Sequence, residues 1–403
     1  MSLVRKPVIL WLWWYDRWDL IKPLLPIMQE ATNYFLFYRF KNQEQLRFDI
    51  PGERLFWTDY SSPYEILEKV VADKVVFMGI ENMLTLALLS ACRHKKTPTF
   101  YLSHGLTSSY ESASSGEKAA DLTVIDKRYN TNNQAYQIQR YHTVFFFGKA
   151  LLRASILEQK FLFKFLFNSF RFKAIHERLY YSKSLYRLAD TYLVFSKHLA
   201  RLLVERDGVE LNRILEIGPY TLDDFFKQLD CFNQIEQVEK KYVLMIDQPI
   251  GNISRKEQKE FWLKLASGWE LLGYQLVVKL HPSNYTNENP IAHANIKWVR
   301  DEENIIKLVH WASACLGYFS TMLLPIIWFK PCGLFNPSSQ PLVEEWEALG
   351  MIRALSYKDF TIEQLAACLH RREDADKMAY ERQFLYRADS NGLARLQKIL
   401  IEE

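Results

Sequence analysis

The sequence has few of the residues that build disulfide frameworks or metal sites. Its five cysteines are odd in number and include no Cys-x-x-Cys pair, so neither a disulfide framework nor a zinc site is indicated. No Asp-x-Asp stands at the end of an expected strand, so a metal-dependent phosphate clamp is not expected. The sequence therefore predicts a protein of a reducing compartment that uses no metal and no cofactor.

Long hydrophobic runs are also lacking. The apolar run Val8 to Tyr15 is followed at once by Asp16 and Arg17 and has no small-residue cleavage site, which is unlike a signal peptide. A membrane-spanning helix needs roughly 18 or more uninterrupted apolar residues. We expect this run to be a buried strand and the protein to be cytoplasmic, either free or peripheral on the inner membrane.

Composition is that of a folded protein without a strong bias. The chain has 403 residues, of which 49% are hydrophobic and 24% charged, and this length favours two domains. The net charge of +4 is small for such a length, so nucleic acid is not an expected partner.

Short apolar runs alternate with helical patterns, which predicts an α/β fold with parallel sheets. We expect two Rossmann-like, doubly wound domains in series, separated near 226–240. The predicted domains are 1–230, with an aromatic and basic helical insertion at 145–187, and 238–370, followed by closing helices at 371–403 that could pack back on the first domain. Strands are expected at 8–14, 34–38, 54–58, 74–78, 97–102, 191–195, 214–217, 242–246, 275–280, 296–299, 314–317 and 332–335.

Two expected strands in the second half end abruptly in polar residues. One runs into Lys279-Leu280-His281-Pro282, and the next but one runs into Ser320-Thr321. The proline stops its strand and fixes where the imidazole projects. Since ligands collect at the carboxyl edge of an α/β sheet, these residues are candidates to bind a nucleotide.

Ser320 and Thr321 fall at the start of a helix expected over 322–329. Free backbone N–H groups and the helix dipole favour a phosphate at such a place. A Ser-Thr pair before a helix is also a common N-cap, and a His-Pro after a strand is a common turn. Gly218, which follows another strand in Gly218-Pro219, is a further candidate nucleotide contact.

A third motif, Ser103-His104-Gly105, closes an expected strand of the first half. A free imidazole titrates near neutrality, so His104 is a candidate general base, although a strand-end histidine is often structural. Glu111 is the next candidate base, followed by Glu117.

The segment 145–187 is rich in phenylalanine, and from Lys149 to Arg187 it carries nine Lys or Arg against two Glu. Such a helical stretch suits a membrane interface or an acidic acceptor. It is equally compatible with a buried helix pair. The candidate acceptor-facing or membrane-facing residues are Lys160, Lys164, Arg171 and Lys173.

The His-Pro, Ser-Thr and His-Gly motifs together resemble those of bacterial glycosyltransferases of the GT-B fold that use cytidine nucleotides. These include sialyltransferases and polysialyltransferases with His-Pro and Ser-Ser/Thr motifs, and the polyol-phosphate transferases of teichoic acid and capsule synthesis. The resemblance implies two Rossmann-like domains facing a central cleft. It also implies that His281, Pro282, Ser320 and Thr321 contact the nucleotide phosphate, with His281 acting on the leaving group. His104 would act on the acceptor.

The acidic pair before glycine that supplies the base in polysialyltransferases has no clear counterpart in the first half, which favours His104 in that role. The resemblance implies an inverting, metal-independent transfer of a sialic or related ulosonic acid from a CMP-linked donor to a glycan or glycolipid of the bacterial surface. Transfer of a polyol phosphate from a CDP-linked donor, a nucleotide-sugar epimerase and a non-catalytic membrane-associated scaffold are the alternatives.

Overall fold

The structure is a computed structural model. It describes residues 5–13, 21–37, 50–80, 82–103, 105, 134–171, 184–232, 241–248, 253–281, 289–300, 304–337 and 341–402. The chain divides into two compact units. The first comprises the described residues up to 103, from 134 to 221 and from 391 onward, and the second comprises Gly105 and the described residues from 222 to 390.

The first unit is built on a parallel sheet of seven described strands in the order β3-β2-β1-β4-β5-β6-β7. The chain winds outward from β1 in one direction and then returns to wind from β4 in the other, so the sheet is doubly wound. Its strands are β1 (Val8–Trp13), β2 (Thr32–Phe37), β3 (Glu53–Phe56), β4 (Lys74–Phe77), β5 (Thr99–Leu102), β6 (Thr191–Val194) and β7 (Ile214–Glu216).

The second unit repeats this plan with six described strands in the order β10-β9-β8-β11-β12-β13, again all parallel. The winding direction reverses between β8 and β11. The strands are β8 (Tyr242–Ile246), β9 (Gln275–Lys279), β10 (Ile296–Val299), β11 (Ala314–Gly317), β12 (Cys332–Phe335) and β13 (Arg353–Leu355).

Helices connect the strands in both units. Those of the first unit are α1 (Leu25–Gln29), α2 (Pro63–Val70), α3 (Met83–Lys95), α4 (Gln134–Arg153), α5 (Ile156–Arg171), α6 (Lys197–Asp207) and, near the end of the chain, α14 (Gly392–Gln397). Those of the second are α7 (Asp223–Phe232), α8 (Arg255–Leu271), α9 (Ile305–Trp311), α10 (Leu323–Phe329), α11 (Pro341–Ala348), α12 (Ile362–Ala367) and α13 (Lys377–Tyr380). Short 3₁₀ turns lie at Lys22–Leu24, Trp57–Asp59, Leu185–Arg187, Leu211–Arg213 and Tyr220–Leu222, and π-helical turns at Glu381–Leu385 and Lys398–Glu402.

Local sequence accounts for where the main helices begin. The Ser254 side chain accepts from the Glu257 N–H at 3.2 Å and the Glu257 carboxylate accepts from the Ser254 N–H at 3.0 Å, which forms a capping box at the start of α8. Asn82 and Thr85 form the same arrangement at the start of α3. Because α3 is apolar on all sides and buried along most of its length, it is a core helix of the first unit.

The predicted α/β class with two doubly wound parallel sheets is confirmed. Four strands of the second sheet have the predicted bounds. In two of them, Tyr242–Ile246 and Cys332–Phe335, the apolar run stops at a polar residue, Asp247 or Asn336. Strand β13 was not predicted, since its three residues Arg353–Leu355 carry no run long enough to recognise. The separation between the sheets was expected near 226–240, and the second unit of the structure begins at Leu222. Helix α7 occupies Asp223–Phe232 and buries Phe225 and Phe226.

His198, in the first turn of α6, is buried, and burial followed by the charge of Arg201 lowers its pKa from 6.5 to about 4. The unfolded chain therefore binds more protons than the folded one between these values. The free energy of unfolding is therefore unaffected by this histidine above pH 6.5. It falls as the pH drops toward 4, by on the order of 3 kcal/mol for this group. We expect His198→Gln to flatten that decline, measured by urea-dependent hydrogen exchange on peptides of the first unit.

His94 is an exposed histidine of the same unit, so His94→Gln is the matched control and should retain the wild-type pH dependence. An equally steep decline in the His198→Gln protein would show that other groups cause it.

Candidate functional site

The carboxyl edge of the second sheet is where the sequence motifs converge. Lys279, Ile246 and Gly317 stand in one row across β9, β8 and β11, since Ile246 pairs with both of the others. Adjacent strands lie roughly 4.8 Å apart, so the ends of β9 and β11 are separated by about 10 Å. The residues that follow this row leave the sheet together, at the point where the winding reverses and α/β sheets bind ligands.

His281 comes two residues beyond the row on β9. Leu280, between them, is buried and its N–H donates to the Val299 carbonyl at 2.9 Å, which continues the pairing past the strand end. His281 itself is exposed at the edge. Lys279 is half-buried, and its ammonium lies 3.5 Å from the Leu280 carbonyl oxygen.

Ser320 and Thr321 follow β11 and precede α10, as predicted, although the helix begins at Leu323 rather than at Met322. The Ser320 carbonyl accepts from the Leu323 N–H at 3.0 Å and its hydroxyl accepts from the Met322 N–H at 3.4 Å. Part of the role of Ser320 is thus to shape the turn that enters the helix. Both hydroxyl-bearing residues are half-buried.

Gly105 of the His-Gly motif belongs to the second unit and lies against Thr321. A Cβ atom on this residue would stand 3.1 Å from the Thr321 Oγ1, closer than an ordinary van der Waals contact. Glycine therefore permits a close backbone approach at this point. The structure brings the glycine of one motif beside the threonine of another.

Asp247 was missed in the sequence. It follows β8 directly and is buried, with its N–H donating to the Lys279 carbonyl at 2.9 Å. Burial, and after it the charges of Glu257 and Asp247, raise the pKa of Tyr357 to about 12. Burial, then Tyr357 and Asp247, raise the pKa of Tyr318 well above its ordinary value. A single acidic residue at the end of an apolar run is not a recognisable sequence motif. Its position between His281 and Ser320 follows from the strand order β9-β8-β11.

The other candidate residues are distributed as follows. Gly218 lies in the first unit, in a turn with a φ of +82° that favours glycine whatever its function. Lys160 and Lys164 are exposed on α5. Outside the described residues lie His104, Glu111, Pro282 and Lys173, together with the side chain of Arg171.

The described part of the chain lacks two features, a membrane-spanning helix and a cluster of metal ligands. No helix there is long and apolar enough to cross a membrane. Within the same residues, no three or more His, Cys, Asp or Glu side chains are grouped so that they could hold a metal ion.

The two sheets define the class of protein. The chain is similar to solved GT-B glycosyltransferases and epimerases over nearly its whole length. It is 12% identical to the calicheamicin glycosyltransferase CalG4, covering 98% of each chain with a TM-score of 0.53. For the glycotransferase of kitacinnamycin the identity is 12%, the coverage 98% of this chain and 96% of that one, and the TM-score 0.52. For UDP-GlcNAc 2-epimerase from Neisseria meningitidis bound to UDP-GlcNAc the identity is 13%, the coverage 97% of this chain and 99% of that one, and the TM-score 0.50. These likenesses establish the GT-B fold.

The family follows from the sequence. The model of the alpha-2,8-polysialyltransferase family matches residues 26–329, and the chain belongs to this family. It is accordingly a glycosyltransferase that acts on a glycan. No curated protein matches it in sequence. The predicted resemblance to GT-B transferases of the sialyltransferase and polysialyltransferase kind is confirmed, even though the acidic pair before glycine was not found.

Proposed function

We propose that the protein is an inverting, metal-independent glycosyltransferase that moves sialic acid, or a related ulosonic acid such as Kdo, from a CMP-linked donor to a lipooligosaccharide or capsule glycan. The observation that carries this proposal is the row of Lys279, Ile246 and Gly317. It makes His281, Asp247 and the Ser320-Thr321 turn emerge side by side where the sheet reverses its winding.

In the proposed reaction an acceptor hydroxyl attacks the anomeric carbon of the donor and the bond from that carbon to the phosphate oxygen breaks. CMP leaves with the electron pair. His281, protonated, and the N–H groups that precede α10 neutralise the charge that develops on the departing phosphate. His104 takes the proton of the acceptor hydroxyl. A single displacement with one base and no covalent nucleophile inverts the anomeric centre.

The proposal needs no cofactor beyond the activated donor. Its substrates are a nucleotide sugar, consistent with the sugar nucleotide bound by the epimerase of the same fold, and a glycan or glycolipid acceptor. Pro282 and Lys279 would contact the nucleotide beside His281. The proposal places the protein in the cytoplasm, either free or peripheral on the inner membrane.

The test is calorimetric titration of the purified protein with CMP, CDP, UDP and GDP, each with and without EDTA. We expect CMP to bind at least about tenfold, or 1.4 kcal/mol, more tightly than UDP or GDP, with no change in EDTA.

Each other result of the titration would favour a different mechanism or function. Loss of binding in EDTA would contradict the metal-independent mechanism. Preference for CDP over CMP, with transfer of phosphate from a CDP-linked polyol, would replace the proposal by a polyol phosphotransferase. Binding of no nucleotide would leave a membrane-associated scaffold of glycan assembly, and donor turnover without acceptor would indicate an epimerase.

A further inference from the structure

Helices α4 and α5 form a helical hairpin in the first unit, here called the aromatic hairpin (134–171). Its inner side is fixed by packing. Phe147 of α4 and Phe165 of α5 are both buried, with ring centroids 6.0 Å apart. Glu158, which is 5% exposed, pairs with Arg93 of α3 and so ties α5 to a core helix. One side of the hairpin is therefore part of the fold.

The opposite side of α5 is apolar and faces outward. Phe163, Phe167 and Phe170 follow one another at helical spacing and are 63%, 61% and 44% exposed. At the turn between the helices Leu152 and Ile156 are 79% and 73% exposed. The described part of the chain has seventeen exposed large hydrophobic residues, and eight of them lie between 141 and 170. Such a concentration marks an interaction surface.

Of the two alternatives for this segment, a fully buried helix pair does not describe α5, since Phe163, Phe167 and Phe170 are exposed. Alternate rings face inward and outward because α5 has one buried stripe, spaced as Glu158, Leu162, Phe165 and Ser169, and one exposed stripe. A pattern of phenylalanine at nearly every second position does not show which half is covered until the packing partner is known.

Charge on this surface is of one sign. Lys160 and Lys164 are exposed on α5 among the outward phenylalanines. The only acidic residue of 134–171 is Glu158, and its carboxylate is buried against Arg93. The outward side therefore offers aromatic rings and ammonium groups with no carboxylate.

We propose that the outward side of the aromatic hairpin docks on an anionic lipid surface. Rings of α5 and the leucine and isoleucine of the turn would enter the interfacial region, while Lys160 and Lys164 meet lipid phosphates. A second copy of the chain fits less well, because two such surfaces would bring like charges together. An acidic glycan would satisfy the lysines but not the exposed rings.

The test is flotation of the full-length protein with vesicles of equal parts phosphatidylglycerol and phosphatidylethanolamine, compared with phosphatidylcholine vesicles. The variants are Phe163→Ser/Phe167→Ser and Lys160→Glu/Lys164→Glu. Leu211→Ser/Met378→Ser is the matched control, because these residues are 71% and 62% exposed but lie outside the hairpin. We expect binding to the anionic vesicles only, lowered about tenfold or more in each hairpin variant and unchanged in the control.

Three results would overturn the proposal. The first is equal flotation of the wild type and both hairpin variants. The second is a dimer in light scattering that the phenylalanine variant dissolves, without flotation of the wild type. The third is an increased KM for a soluble acceptor in the lysine variant, without any change in flotation, which would assign the surface to the glycan. Flotation requires neither donor nor transfer, so its outcome is independent of the proposed reaction.

Discussion

Replacement of His281 by alanine is expected to lower kcat for transfer from a CMP-linked donor about 10²- to 10³-fold. This is the usual loss when one preorganised group that stabilises developing negative charge is removed. The measurement is steady-state kinetics at saturating acceptor, with calorimetry of CMP binding alongside. Since His281 would contact the phosphate in the ground state as well, we expect weaker CMP binding together with the lower kcat.

The expected loss in kcat depends on how the His281 imidazole is positioned. Leu280 is anchored by its bond to the Val299 carbonyl, so the residue after it leaves the sheet from a fixed point beside β8 and Asp247. A side chain that is positioned by the sheet needs little reorganisation as charge develops on the phosphate. A histidine on an unanchored loop would contribute less.

His370 provides the matched control, because it is an exposed histidine of the same unit that lies after α12, away from the strand ends of this edge. His370→Ala should transfer at the wild-type rate. A His281→Ala protein that folds and keeps more than about a tenth of the wild-type kcat would remove His281 from the mechanism.

Most of the architecture could be predicted because parallel strands buried on both faces are nearly uninterrupted apolar runs. Residues 242–246 illustrate this, since Lys241 and Asp247 stand at the two boundaries of the run. Arg353–Leu355 could not be recognised, because a three-residue edge strand with a half-buried arginine has the composition of a loop. Helix α7 was obscured by the expectation that a linker must separate two sheets.

The candidate site was likewise only partly predictable from the sequence. The His281 and Ser320-Thr321 positions were accessible because each motif ends a recognisable strand. Asp247 was not, because its relation to them depends on the order β9-β8-β11, and strand order is a tertiary property. The proximity of Gly105 to Thr321 likewise joins residues more than 200 positions apart, which no local pattern can indicate.

Arg371 carries the largest stability prediction for the second unit. Its Nη2 group donates to the carbonyl oxygens of Ile327 at 2.7 Å, Trp328 at 3.2 Å and Lys330 at 2.9 Å, at the carboxyl end of α10. The last carbonyls of a helix have no partner within it. One guanidinium therefore satisfies the end of the helix whose other end follows Ser320 and Thr321.

Removing this group in Arg371→Ala leaves these carbonyl oxygens without a charged donor in a half-buried place and should lower the free energy of unfolding by roughly 3 kcal/mol. Arg371→Lys should restore about half, since an ammonium lacks the planar fork that reaches several acceptors. Urea-dependent hydrogen exchange on peptides of the second unit measures both. The neighbouring Arg372 pairs with the exposed Asp374 at 2.6 Å, so Arg372→Ala should cost at most about 1 kcal/mol. Equal losses in the two alanine variants would mean that the helix end is satisfied by other groups, and that the order of α10 does not depend on Arg371.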